Sequence, residues 1–195
     1  MFVLGITGFI GSGKSEVCKF LINYGFQVIE LDKLAHQSYE IGTDIYLEII
    51  NFFGSEVLNS DMTINREKLG DIVFKDKDKL IFLQNLVWPK ITNELRIKLQ
   101  NYKKNFYEKI SIESSLLFSG GWHKFCDQIW FVESSKKNIK LRLKNFRGMG
   151  ENKINSILEL QSFVKQNKEQ VDQVIINNKN LLNLKDIIKR NLKVV

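Results

Sequence analysis

Apolar and polar positions follow two different periods along this chain. Phe2 to Thr7 is a nearly continuous apolar run that stops at Gly8, the pattern of a strand buried on both faces. From Ser15 to Tyr24 the spacing changes, and Val17, Phe20, Leu21 and Tyr24 fall on one face of a helix that Gly25 would cap. Phe26 to Leu31 is a second apolar run, ending at Asp32. Strand, helix and strand in this order predict a parallel sheet with helices on its faces.

Residues 33–108 read as amphipathic helices. Ile45, Ile49, Phe52 and Phe53 share a helical face that stops at Gly54, and Asn65 stands as a cap before Leu69, Ile72 and Val73. Pro89, the only proline, is expected to begin a helix after Trp88. Strands are predicted over Lys109–Ser114, Gln128–Val132 and Gln173–Ile176, with a turn at Gly120-Gly121 between the first two. Helices are predicted over Lys136–Arg147 and Glu151–Gln166, broken at Gly148-Met149-Gly150, and over Leu181–Leu192. The chain divides on this reading into a core (1–32, 109–135, 168–195), a helical insertion (33–108) and a pair of lid helices (136–167).

The chemistry sits between the first strand and the first helix. Gly8-Phe9-Ile10-Gly11-Ser12-Gly13-Lys14-Ser15 is a complete G-x-x-x-x-G-K-[ST] P-loop. Its glycines let the backbone approach a phosphate, and its N–H groups converge at a helix N-terminus that favours anions. Lys14 would bridge the outer phosphates of ATP, and Ser15 would ligate Mg²⁺. The ATP-binding set is therefore Gly11, Ser12, Gly13, Lys14, Ser15 and the adjoining Glu16. No guanine signature N-K-x-D and no D-x-x-G switch is present, which argues against a GTPase. A small phosphotransferase remains, and it needs a base for its acceptor. Asp32 ends the second strand at the edge where parallel sheets bind ligands, so it is a candidate for that base; a helix cap before Lys33-Leu34-Ala35 is the equal alternative.

Charge modifies this picture only in the last third. Residues 1–135 carry 15 basic against 17 acidic side chains, and residues 136–195 carry 14 against 5, a local net of +9. A lid over triphosphate accounts for the surplus, as would a polyanion-binding face. Arg142 lies beside the Ile139, Leu143 and Phe146 face of its helix and could reach transferring phosphate oxygens; Arg66, opening a helix of the insertion, could hold a substrate phosphate. The 44% hydrophobic content supports a packed core, and no apolar run is long enough to span a bilayer. With only Cys18 and Cys126 and no recognisable leader, a cytoplasmic protein with reduced thiols is expected. His36 and His123 lack ligand spacing and read as structural. The Phe52, Phe53, Phe82 and Trp88 cluster reads as core. The pattern carries no signal for oligomeric state.

Gly5 to Ser15, then Val28-Ile29-Glu30-Leu31-Asp32 with Leu34-Ala35, resembles the dephospho-coenzyme A kinase family. The likeness continues through Phe53-Gly54, Ile64-Asn65-Arg66, Ser115-Leu116-Leu117-Phe118, Gln161, Val171-Asp172 and Asn177, in order over nearly the whole chain. The resemblance implies a three-layer α/β fold of the P-loop NTPase type. It implies ATP and dephospho-CoA as substrates, with phosphate transferred to the 3′-hydroxyl. It also implies Asp32 as base, and leaves a membrane or nucleic-acid partner without support. The chain departs from the family pattern at Glu16 (Thr in the family), Trp88 (His), Glu113 (Asp), Ser115 (Pro) and Ser119 (Glu). Arg142 matches one lid arginine, Arg147 fits the second only with a one-residue shift, and Ile157 stands where a later Arg is expected. Another small-molecule P-loop kinase and a decayed, non-catalytic homologue are the alternatives at this point.

Overall fold

Five strands form one parallel sheet: β1 (Phe2–Thr7), β2 (Gln27–Glu30), β3 (Lys109–Glu113), β4 (Gln128–Glu133) and β5 (Gln173–Ile176), in the order β2-β3-β1-β4-β5. The structure, a computed structural model, describes residues 1–192, and for 160, 162, 163, 165 and 166 the main chain only. β1 occupies the centre, which is why its run is apolar on both faces. On one face Leu4, Ile6, Trp130, Val132 and Ile175 pack with Val17, Cys18 and Leu21 of α1 (Lys14–Ile22) and Leu184 and Ile188 of α8 (Leu181–Asn191). On the other, a side chain at Gly5 would overlap Cys126, Leu117 and Ile129. Helices flank the sheet, as the strand–helix–strand pattern requires.

Two aspartates fix the strands at their amino ends. Asp127 accepts from the Val3 amide at 2.7 Å and gives its own amide to the Val3 carbonyl. Asp172, just before β5, makes the same pair with Ile129 of β4.

By compactness the chain forms two units, one of Met1–Glu30 with the chain from Tyr102 on, the other Leu31–Asn101. The second unit is helical: α2 (Leu31–Ser38), α3 (Asp44–Phe53), α4 (Arg66–Val73) and most of α5 (Lys77–Lys104). Its core joins Tyr46, Ile49, Phe53, Val57, Ile64, Leu69 and Val73, and Phe52 stacks on Phe82 with ring centroids 3.7 Å apart. Asn65 caps α4 through bonds from the Glu67 and Lys68 amides.

Three boundaries differ from the sequence expectation. The second strand ends at Glu30 and α2 opens at Leu31, so Asp32 neither ends the strand nor caps the helix but lies in its first turn. Pro89 does not start a helix; it lies inside the 28-residue α5. Buried Val87, Ile91, Leu95 and Leu99 continue one stripe through the proline. Burying each contributes roughly 1.5–3 kcal/mol, against a cost of about 3 kcal/mol for the missing N–H and the ring clash, so the stripe wins. The helix predicted to reach Gln166 ends at Leu160, and a 3-10 segment (Ser162–Gln170) follows. Before it, α6 (Lys136–Arg147) ends at Gly148 in the left-handed conformation, and α7 spans Glu151–Leu160. Among the described residues no helix is long and apolar enough to cross a membrane.

Candidate active site

The P-loop leaves β1 at Thr7 and turns into α1 at Lys14. Gly8 (φ 140°) passes so close to the Val132 carbonyl that no side chain fits there. Gly13 (φ 105°) is equally constrained, because a Cβ would occupy the place of the Asn177 amide nitrogen. No side chain caps α1, so its N-terminus stays available to an anion.

Lys14 is buried, and its ammonium donates to the Gly8 and Phe9 carbonyls at 3.1 Å each and to Ser115 Oγ at 2.7 Å. The next residue, Ser15, donates its hydroxyl to Glu113 Oε1 at 2.9 Å. Glu113 is buried at the end of β3 and pairs in register with Ile6 and with Glu30. A hydroxyl and a carboxylate side by side suit a hard divalent cation. Among the described residues no cluster of three or more His, Cys, Asp or Glu could hold a metal alone. Glu16 turns outward and pairs with Lys19 at 2.7 Å.

The loop is braced from the last third of the chain. Ile139, Leu143 and Ile154 form a cluster against which Phe9 and Ile10 pack. Arg142 donates to the Gly11 and Ser12 carbonyls (3.3 and 3.0 Å), to Ser134 Oγ and to the Asn177 carbonyl. Burial holds the Arg142 guanidinium below its usual range. The Asn177 side chain donates to the Ser12 carbonyl at 2.8 Å, and Gln161 Oε1 accepts from the Ile10 amide at 2.9 Å. Phe146, expected on the buried face with Ile139 and Leu143, is 84% exposed: it continues their stripe into the last turn of α6, one residue before the helix ends.

In the helical unit, Asp32 lies in the first turn of α2, two residues beyond the end of β2, and Arg66 opens α4. Both are exposed and both act electrostatically on His36 and Tyr39. Burial pushes His36 down from its usual value, the Arg66 charge adds to this, and Asp32 opposes it. Burial also pushes the Tyr39 hydroxyl up to about 12. The two residues that sequence reasoning picked out separately thus share one electrostatic neighbourhood.

Sequence reasoning gave no task to Glu113, Ser115, Ser134, Gln161 or Asn177. The first two follow a strand end at the ligand-binding edge of a parallel sheet, and that rule would have found them. His123 stacks on Phe118, with centroids 4.9 Å apart.

The family model described as dephospho-CoA kinase matches residues 2–183. The dephospho-CoA kinase of Dehalococcoides mccartyi is 31% identical over 97% of this chain and 95% of its own, and that of Fusobacterium nucleatum is 36% identical over 97% and 96%. A crystal structure from Thermus thermophilus superposes with a TM-score of 0.82 at 25% identity, covering all of this chain and 97% of that one. Dephospho-CoA kinase from Campylobacter jejuni (TM-score 0.70, 21% identity, 98% and 95% covered) and shikimate kinase from Bacteroides thetaiotaomicron (0.56, 12%, 99% and 97%) share the fold.

Proposed function

The chain belongs to the dephospho-CoA kinase family, and from that membership we propose that it transfers the γ-phosphoryl group of ATP to the 3′-hydroxyl of dephospho-CoA, giving coenzyme A and ADP. The observation that carries this reading is the Lys14 ammonium beside the Ser15–Glu113 pair at the N-terminus of α1.

Backbone amides of the loop and of the first turn of α1 surround the phosphates, Glu16 contributing its backbone and not its carboxylate. Lys14 turns to the outer phosphates and offsets charge that builds there in the transition state. Ser15 and Glu113 would hold Mg²⁺, which when bound neutralises phosphate charge. Asp32 accepts the proton of the attacking hydroxyl; the support is its place just past β2, exposed and in the first turn of a helix. Arg66 holds a phosphate of the acceptor, and Arg142 adds positive charge to the loop from α6. Residues 33–108 serve as the acceptor-binding insertion and 136–167 as a lid that excludes water. Free Cys18 and Cys126 agree with a reducing cytoplasm.

The test is ADP production by the purified protein with ATP, Mg²⁺ and dephospho-CoA, with Asp32→Asn as control. Turnover that needs dephospho-CoA and collapses in the variant supports acceptor and base together. ATP binding without turnover, while a nucleoside or sugar acid is phosphorylated instead, overturns the acceptor.

A further inference from the structure

Gln161 lies 151 residues from the P-loop in sequence, yet its side-chain oxygen accepts from the Ile10 amide at 2.9 Å. That amide belongs to the Phe9–Ile10 peptide, which is trans and planar, so its N–H and C=O point in opposite directions. On the far side of the same plane, the Phe9 carbonyl accepts from the Lys14 ammonium at 3.1 Å and from the Ser12 amide at 3.1 Å. One rigid plane therefore links Gln161 to Lys14. Ile10 and Phe9 also pack against the Ile139, Leu143 and Ile154 cluster, and the Ser12 amide holds the carbonyl side of the plane. The Gln161 bond holds its amide side.

The helix that carries Gln161 stops there. Its backbone amide still bonds to the Ile157 carbonyl at 2.9 Å, so α7 fixes its Cα while the chain turns away into the 3-10 segment. This placement positions an amide side chain, with an acceptor oxygen and no charge, against the loop that receives a polyanion. A carboxylate at this place would bring repulsion as well as a hydrogen bond.

We propose that Gln161 is a positioning residue of the nucleotide site, orienting the Phe9–Ile10 peptide so that the Phe9 carbonyl holds Lys14 where it meets the outer phosphates of ATP. The proposal rests on the nucleotide-binding reading of this loop. Gln161 touches no substrate and acts through Lys14.

The experiment compares wild type, Gln161→Leu and Gln161→Glu by calorimetric ATP binding, by steady-state kinetics with both substrates and by thermal melting. Losing one neutral hydrogen bond at the loop should weaken ATP binding roughly five- to tenfold in Gln161→Leu. The KM for dephospho-CoA should stay within about twofold of wild type, because Lys14 acts on the nucleotide alone. Gln161→Glu keeps the acceptor oxygen and should recover ATP affinity to between the other two proteins. Unchanged ATP affinity in Gln161→Leu overturns the proposal. So does equal weakening toward both substrates, which marks a packing role. If wild type itself binds no ATP, the nucleotide reading falls, and the inference with it.

Discussion

The Ser15 hydroxyl donates to Glu113 Oε1 at 2.9 Å, tying the first turn of α1 to the end of β3 across 98 residues of sequence. A second effect reports the same carboxylate: after burial, the Glu113 charge is the main cause that holds the Cys18 thiol well above its usual range. Strand end and helix start therefore present two hard oxygens together. Replacing Glu113 by Gln keeps the shape and removes the charge. Turnover should fall roughly 10–100-fold, with half-maximal rate at higher Mg²⁺, as expected when a metal's ligand set is weakened. A Mg²⁺ titration of the initial rate checks this, and an unshifted midpoint would remove Glu113 from the cation site.

Lys14→Ala deletes an ammonium that is engaged with Gly8, Phe9 and Ser115. Charge-assisted bonds to phosphate are worth roughly 1.5–3 kcal/mol, so ATP affinity should fall about tenfold or more, with a further loss in kcat. Calorimetry and single-turnover rates separate the two effects.

Asp32→Asn should leave ATP affinity near wild type and lower kcat by roughly 10²–10⁴, the range for a lost general base. Its exposed side chain in the first turn of α2 makes a large loss of stability unexpected. Near-normal turnover in this variant would assign Asp32 to the helix alone.

His36 provides a pH test of the helical unit. Its folded value lies below 6.5 through burial first and Arg66 second. As pH falls through 6.5 the unfolded chain takes the proton before the folded one does, so this group's contribution to stability is lost on the acid side. Arg66→Gln removes one of the two depressing causes, and the His36 ring should then titrate at higher pH by NMR. An unmoved titration would separate Arg66 from His36.

The thiols provide a chemical test. Burial pushes Cys126 up to about 12. At pH 8 the folded protein then holds roughly a thousandfold less thiolate there than an ordinary cysteine. Iodoacetamide should label Cys126 and Cys18 slowly in the native protein and quickly in denaturant. Fast native labelling would contradict the burial of Cys18 and the raised Cys126 thiol.

What the chain discloses in its own order differs from what only folding assembles. Phe2–Thr7, the P-loop and the Lys136–Arg147 helix are contiguous patterns, and each stands in the structure where periodicity places it. Lys14 and Ser15 are legible for the same reason. Glu113, Gln161 and Asn177 are single polar residues in ordinary surroundings. They join the P-loop only because strand order and the end of α7 bring them there. The resemblance marks Gln161 and Asn177 without giving either a task. Pro89 misleads by a local rule that a longer apolar stripe overrides.

Asp127 and Asp172 stand at the edge of the sheet opposite the P-loop, each closing a two-bond ring with the neighbouring strand. Strand alignment is thereby keyed at the sheet's inert margin, where each of the two rings would have to open before a strand could slide by a residue. For β1, β4 and β5 the P-loop margin is relieved of that duty, so exchanging Lys14 or Ser15 there leaves the keyed alignment of these strands in place.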